Sequence, residues 1–167
     1  MKTFVLEREQ IIARPRDELF PFFAEARNLE AITPAFLRFQ VLTPGPIEMR
    51  AGALIDYRIR LRGVPIRWRT EISVWEPPFR FVDRQLSGPY RKWVHEHRFE
   101  EVPGGTRCLD RVEYAVPGGP LLEDVVHALF VRRDVARIFD FRRDALERLL
   151  VRPDGRDVTP RGDHPQG

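Results

Sequence analysis

The sequence has a single cysteine, Cys108, among 167 residues, so no intramolecular disulfide can form and a disulfide-built secreted scaffold is excluded. No segment approaches the roughly 20 uninterrupted apolar residues of a bilayer-spanning helix, which leaves at most peripheral membrane contact. Residues 1 to 9, Met-Lys-Thr-Phe-Val-Leu-Glu-Arg-Glu, are charged where a signal peptide needs an apolar run, so a cytoplasmic location is the expectation. An excess of one charge is missing too. The 28 basic residues, all arginine but for Lys2 and Lys92, are interspersed with 25 acidic ones, and a net charge of +3 does not describe a dedicated nucleic-acid surface. Phosphate-cradling glycine loops are absent: Gly104-Gly105 and Gly118-Gly119-Pro120 are turn chemistry, and no nucleotide cofactor is expected.

What is present reads as one globular domain. With 43% apolar and 32% charged residues, the chain has the balance of a folded protein and is too short for two full domains. At this size roughly 70% of the unfolded surface can be buried, enough for a core and an internal pocket. The domain is expected over residues 1–151. Residues 152–167 hold three prolines, three glycines and almost no apolar side chain, and read as a disordered tail.

Thr3 to Ala13 reads as a strand, and Pro15 stands where a helix can begin. Leu19, Phe20, Phe22, Phe23 and Ala26 recur at spacings of three and four, so a helix is expected over 17–26, with Pro21 tolerable only near its start. Asn28 can cap a second short helix, which Pro34 should end. From Phe39 to Val116 alternating segments separated by Gly and Pro turns predict an antiparallel meander. Ile55, Tyr57, Ile59 and Leu61 share one face; Ile66, Trp68, Thr70, Ile72 and Val74 share one face of the next strand, with Trp75 opposite. The arginines between them, Arg58, Arg60, Arg62, Arg67 and Arg69, fall outward by pleat geometry. Leu121 to Leu150 reads as helix whose apolar stripe shifts: Leu122, Val126 and Leu129 lie on one side, and Val131, Val135, Ile138, Ala145 and Leu149 nearly opposite. A break is therefore expected near Phe130 to Asp134.

The resulting class is α+β: a curved antiparallel sheet of six to seven strands around a long C-terminal helix, with two short helices after the first strand. Four strings sharpen it: Asn28-Leu29-Glu30-Ala31-Ile32-Thr33-Pro34, then Gly88-Pro89-Tyr90-Arg91-Lys92-Trp93-Val94-His95-Glu96-His97-Arg98-Phe99, Asp110-Arg111-Val112-Glu113-Tyr114, and Ile138-Phe139-Asp140-Phe141-Arg142. With the order of elements, they resemble the START-like or SRPBCC superfamily, in its bacterial polyketide cyclase/dehydrase-like branch. That resemblance implies a helix-grip fold with a cavity between sheet and helix for a lipid, polyketide, quinone or aromatic molecule. Carriers, receptors and enzymes share the fold, so the resemblance does not choose among them.

Period-two alternation puts Trp93, His95, His97 and Phe99 on one strand face, and Cys108, Asp110, Val112 and Tyr114 on one face of the next. The flanking aromatics favour the inward orientation, and Asp110 can then meet His95 or His97 across the hairpin. Asp83 and Gln85 share a face of the preceding strand and carry the same two readings, ligand recognition or a satisfied structural network, with Asp83 open to being a further network member. The candidate ligand-binding set is Tyr57, Ile59, Trp68, Thr70, Gln85, Trp93, His95, His97, Phe99, Asp110, Tyr114 and Ile138. The leading reading is recognition of a hydrophobic small molecule, with these polar groups holding its head. The alternative is a cyclase or dehydratase in which His95, His97 and Asp110 move a proton while Tyr57 or Tyr114 donates to the developing oxyanion. Two histidines at i, i+2 with Asp110 or Cys108 are a weak metal signal without HExxH or paired cysteines, and no metal is expected. Cys108, in a strand, reads as a small buried hydrophobe rather than a nucleophile.

Overall fold

The structure, a computed structural model, describes residues 2–117, Gly119, Asp124, His127 and 131–150. The expected tail, Phe130 and the apolar positions Leu122, Val126 and Leu129 lie outside the described residues. The elements run β1 (Phe4–Ile12), α1 (Arg16–Phe23), short 3-10 segments at Ala26–Glu30 and Ala35–Leu37, and β2 (Gln40–Val41). Then follow β3 (Leu54–Leu61), β4 (Val64–Glu76), β5 (Arg80–Ser87), β6 (Lys92–Val102), β7 (Gly105–Ala115) and α2 (Arg132–Leu150). Seven antiparallel strands form one curved sheet in the order β1-β7-β6-β5-β4-β3-β2, so the first strand closes against the last. This is the α+β helix-grip arrangement expected from the element order.

Helix α1 starts directly after Pro15, whose fixed φ of −57° suits a helix entrance, and carries Asp17 and Glu18 in its first turn, where carboxylates favour the helix dipole. It buries Leu19 and Phe20 and ends two residues beyond Pro21. The next segment corrects the sequence reading. Its cap is Glu25, whose side chain accepts from the Arg27 amide at 3.1 Å, while Asn28 donates to the Phe22 carbonyl at 2.9 Å and ties the turn back to α1. Pro34 precedes a further turn of 3-10 helix instead of ending one.

Strand β3 alternates as its sequence suggests, with Ile55, Tyr57 and Ile59 buried. Its outward charges pair along the sheet: Arg69 grips Asp56 through two bonds of 2.8 and 2.9 Å, and Arg58 donates to Gln40 at 2.6 Å. In β4 the parity changes. Trp68, Thr70 and Ile72 are buried as read, but the register against β5 shifts between Ile72 and Val74, and the shift turns Trp75 inward against Phe20 and Phe81. The extra residue of a bulge reverses which side chains face the core beyond it.

Helix α2 crosses the inner face with Val135, Phe139, Arg142, Ala145 and Leu146 buried. The stripe is displaced from the one read in the sequence: Leu149 is exposed, Ile138 half-buried, and Phe139 and Leu146 take the inner positions. Ala145 and Leu146 pack with Ile12, Leu19, Phe20 and Phe99; Val135 and Phe139 pack with Val112, Tyr114 and Val116. Each such large side chain contributes about 1.5 to 3 kcal/mol by leaving water.

Candidate functional site

A cavity of about 150 Å³ lies between the inner sheet face, α2, and the α1 to Leu37 segment. Its wall is mainly apolar because β3, β4 and β6 present alternate residues to it. Of the residues singled out in the sequence, Tyr57, Ile59, Trp68, Thr70, Trp93, His95, His97 and Ile138 line it. Gln85, Phe99, Asp110 and Tyr114 do not, and each is occupied elsewhere. Gln85 spans the β5–β6 turn, donating to the Tyr90 carbonyl at 2.7 Å and accepting from the Tyr90 amide at 3.3 Å. Phe99 is packed under α1 with ring centroids 5.4 Å from Phe20 and 4.9 Å from Phe23. The Tyr114 hydroxyl is 2.9 Å from Nε2 of His127.

Asp110 stands behind the cavity wall as part of a ring of four groups, two buried histidines and two half-buried carboxylates. Cross-strand register sets Asp83 opposite His95 and His97 opposite Asp110. The side chains then reach diagonally. His95 Nε2 meets Asp110 Oδ1 at 2.8 Å, and His97 Nε2 meets Asp83 Oδ2 at 3.0 Å. His97 Nδ1 also lies 3.2 Å from Asp110 Oδ1, whereas His95 Nδ1 stops 3.6 Å from Asp83. The two imidazoles sit 3.7 Å apart between centroids, and His97 stacks on Phe81 at 4.0 Å.

This geometry separates the two histidines. Both nitrogens of His97 face carboxylate oxygens, an arrangement that favours a proton on each and so the imidazolium form. Burial pulls its pKa down, but the bonds to Asp110 and Asp83 outweigh that, and the net shift is upward. Burial dominates for His95: with the adjacent His97 charge it lowers the pKa to about 4, so His95 is neutral at pH 7. Both carboxyls are held below their usual range, because the histidine contacts outweigh desolvation, and Asp110 is the more depressed.

The sequence reading missed Arg142 as a site residue. This α2 residue is only 8% exposed and lines the cavity. Its guanidinium lies over the Phe139 ring at 4.9 Å, and its nearest carboxylate contact is Asp110 at 4.0 Å. The signal was an arginine seven residues after Val135 and three after Phe139, on an apolar stripe where a charge is costly. Also in the cavity wall, the Tyr57 hydroxyl and Thr70 Oγ1 are 2.6 Å apart, and burial raises the Tyr57 pKa far enough to keep the phenol protonated.

Among the described residues metal ligation has one candidate grouping, Asp83 with His95 and His97, whose ligand atoms lie within 4.8 Å of one another. Those atoms are already engaged with each other and with Asp110, so a metal would have to displace these contacts. Cys108 is buried, and burial and the Asp110 charge push its thiol up to about 12, unsuited to nucleophilic work.

A curved sheet gripping one long helix over an apolar cavity defines the START-like class. Residues 12–141 match the family model described as polyketide cyclase/dehydrase and lipid transport, and the chain belongs to that family. No curated protein matches it. Among solved structures, protein Ms6760 from Mycobacterium smegmatis aligns at 19% identity over 87% of this chain and 90% of that one, with a TM-score of 0.64. The Zhui aromatase/cyclase from a Streptomyces species aligns at 16% over 92% and 99%, TM-score 0.64. Major latex-like protein 151 from Panax ginseng aligns at 13% over 90% and 99%, also with a TM-score of 0.64. At these identities the likeness shows the fold. Among the described residues, no helix is long and apolar enough to cross a membrane.

Proposed function

We propose that the protein binds a hydrophobic or aromatic small molecule in the cavity between the sheet and α2. The observation that carries this reading is a mainly apolar cavity of about 150 Å³, open on one side, whose wall keeps a few buried polar groups, the composition of a ligand pocket in place of a filled core. The family description and the neighbour named an aromatase/cyclase support a ligand of that broad kind. Burial of some 200 Å² of ligand apolar area would supply about 5 kcal/mol before ordering costs.

Binding is favoured over proton transfer by the state of the histidines. A general base needs a free lone pair directed at the substrate. His97 spends both nitrogens on carboxylates, and His95 directs Nε2 at Asp110 and Nδ1 towards Asp83. The cluster therefore acts as a rigid polar end wall.

Solvent extraction of the purified protein followed by mass spectrometry tests the proposal, beside an Ile59→Trp variant that fills the cavity. A near-stoichiometric small molecule present in the wild type and lost in the variant is the expected result. An equal yield from both proteins would overturn it.

A further inference from the structure

Two buried donors in the cavity wall have no hydrogen-bond partner among the described residues: Nε of Arg142, from α2, and Nε1 of Trp68, from β4. Both residues are more than nine-tenths buried, and neither is confined to the core, since both line the cavity. An unmet buried N–H is costly, more so on a charged group, so these two donors call for an acceptor. An acceptor oxygen on the occupant repairs this; a hydrocarbon does not.

The charge at that end of the cavity decides what kind of acceptor. Asp83 and Asp110 bring two negative charges. His97, flanked by a carboxylate on each nitrogen at 3.0 and 3.2 Å, and Arg142 bring two positive ones. His95 makes one carboxylate hydrogen bond and needs one proton, so it is neutral. The charges at that end are thus balanced without a ligand's help, and a carboxylate ligand would leave one negative charge in excess. A carbonyl oxygen accepts the same N–H groups without adding charge.

Size sets the third limit. A cavity near 150 Å³ accommodates about one benzene-sized ring. We propose that Arg142 and Trp68 are acceptor-recognition residues and that the preferred ligand is an uncharged one-ring compound bearing a carbonyl-type oxygen, in preference to a hydrocarbon, a carboxylate or a multi-ring molecule. This rests on the cavity-binding reading above and narrows it.

The test is a calorimetric or NMR titration of the full chain at pH 7 with acetophenone, ethylbenzene, benzoate and 2-acetylanthracene as probes. Acetophenone should bind at least tenfold tighter than each of the others. Arg142→Met, which keeps the stem and removes the donors, should bring acetophenone down to the ethylbenzene level and change ethylbenzene binding less than threefold. Trp68→Phe keeps an aromatic ring without the N–H and should weaken acetophenone several-fold, which keeps the proposal testable if Arg142→Met does not fold. Ethylbenzene, benzoate or 2-acetylanthracene binding as tightly as acetophenone would overturn the proposal, as would an unchanged preference in either folded variant. Failure of all the probes to bind would also overturn it, while a molecule recovered by the extraction above would leave the wider cavity reading standing.

Discussion

Nη1 of Arg142 stops 4.0 Å from Oδ1 of Asp110, close enough for attraction and too far for a hydrogen bond. The distance follows from the prior commitment of Asp110, whose same oxygen already meets His95 at 2.8 Å and His97 at 3.2 Å. The carboxylate orders the histidines, and the guanidinium stays available to the cavity.

Asp110 should therefore matter more to stability than an exposed carboxylate in an equally good ion pair. Asp110→Asn leaves the His97 charge with half of its compensation inside the protein and should cost about 3 kcal/mol in urea unfolding. Asp56→Asn, which breaks the exposed pair with Arg69, should cost under about 1 kcal/mol. Equal effects would show that the buried ring is not tightly coupled.

Stability should peak near pH 6.5 in unfolding experiments run from pH 4 to 9. His95 falls from 6.5 to about 4 on folding, chiefly through burial, so between those values the unfolded chain holds more protons and stability drops as the pH is lowered. His97 is raised: burial opposes the shift, but its carboxylates prevail, so its contribution is complete below about 6.5 and is lost as pH rises through the folded value. Asp83 and Asp110, lowered by their histidines against desolvation, contribute above 3.8 and lose that contribution as the pH falls towards their folded values. His95→Gln should flatten the limb between pH 4 and 6.5, which spans roughly 3 kcal/mol at most. An unchanged limb in that variant would assign it to other groups.

Much of this arrangement was legible in the sequence. Alternation along β3 and β6 and the turn residues between strands are local signals, and they placed Tyr57, Ile59, His95 and His97 on the inner face. The position of Trp75 was not legible, because a bulge arises from pairing between β4 and β5 and reverses parity without altering local composition. Asp110 was expected to meet one histidine; that it meets both depends on diagonal side-chain reach between strands. Arg142 escaped because periodicity treats a charge as a solvent-facing residue, whereas here the cavity replaces solvent.

Cys108 should resist Ellman's reagent in the folded protein, with labelling no faster than global unfolding and full reaction in urea. Its burial and a thiol pKa pushed up to about 12 leave little accessible thiolate. Stoichiometric labelling within seconds under native conditions would contradict the packing of β7 against α1 and α2.

Gly105→Ala should lower stability by more than about 2 kcal/mol by thermal or urea unfolding. At φ +147° a Cβ there would lie 2.0 Å from the Ile12 carbonyl, so the turn into β7 and the end of β1 cannot both keep their places. Gly104→Ala has open space around its Cβ and should cost less, through its positive φ alone. Similar losses in both variants would contradict the close β1–β7 approach.

The account stands on the cavity being the binding place, and intermolecular nuclear Overhauser effects from acetophenone to the protein's methyl groups measure that most directly. Cross-peaks from the ring protons to Ile59 and Ile72, which line the cavity, are predicted. Cross-peaks confined to surface side chains such as Val5 and Ile11, or none at saturating ligand, would contradict it.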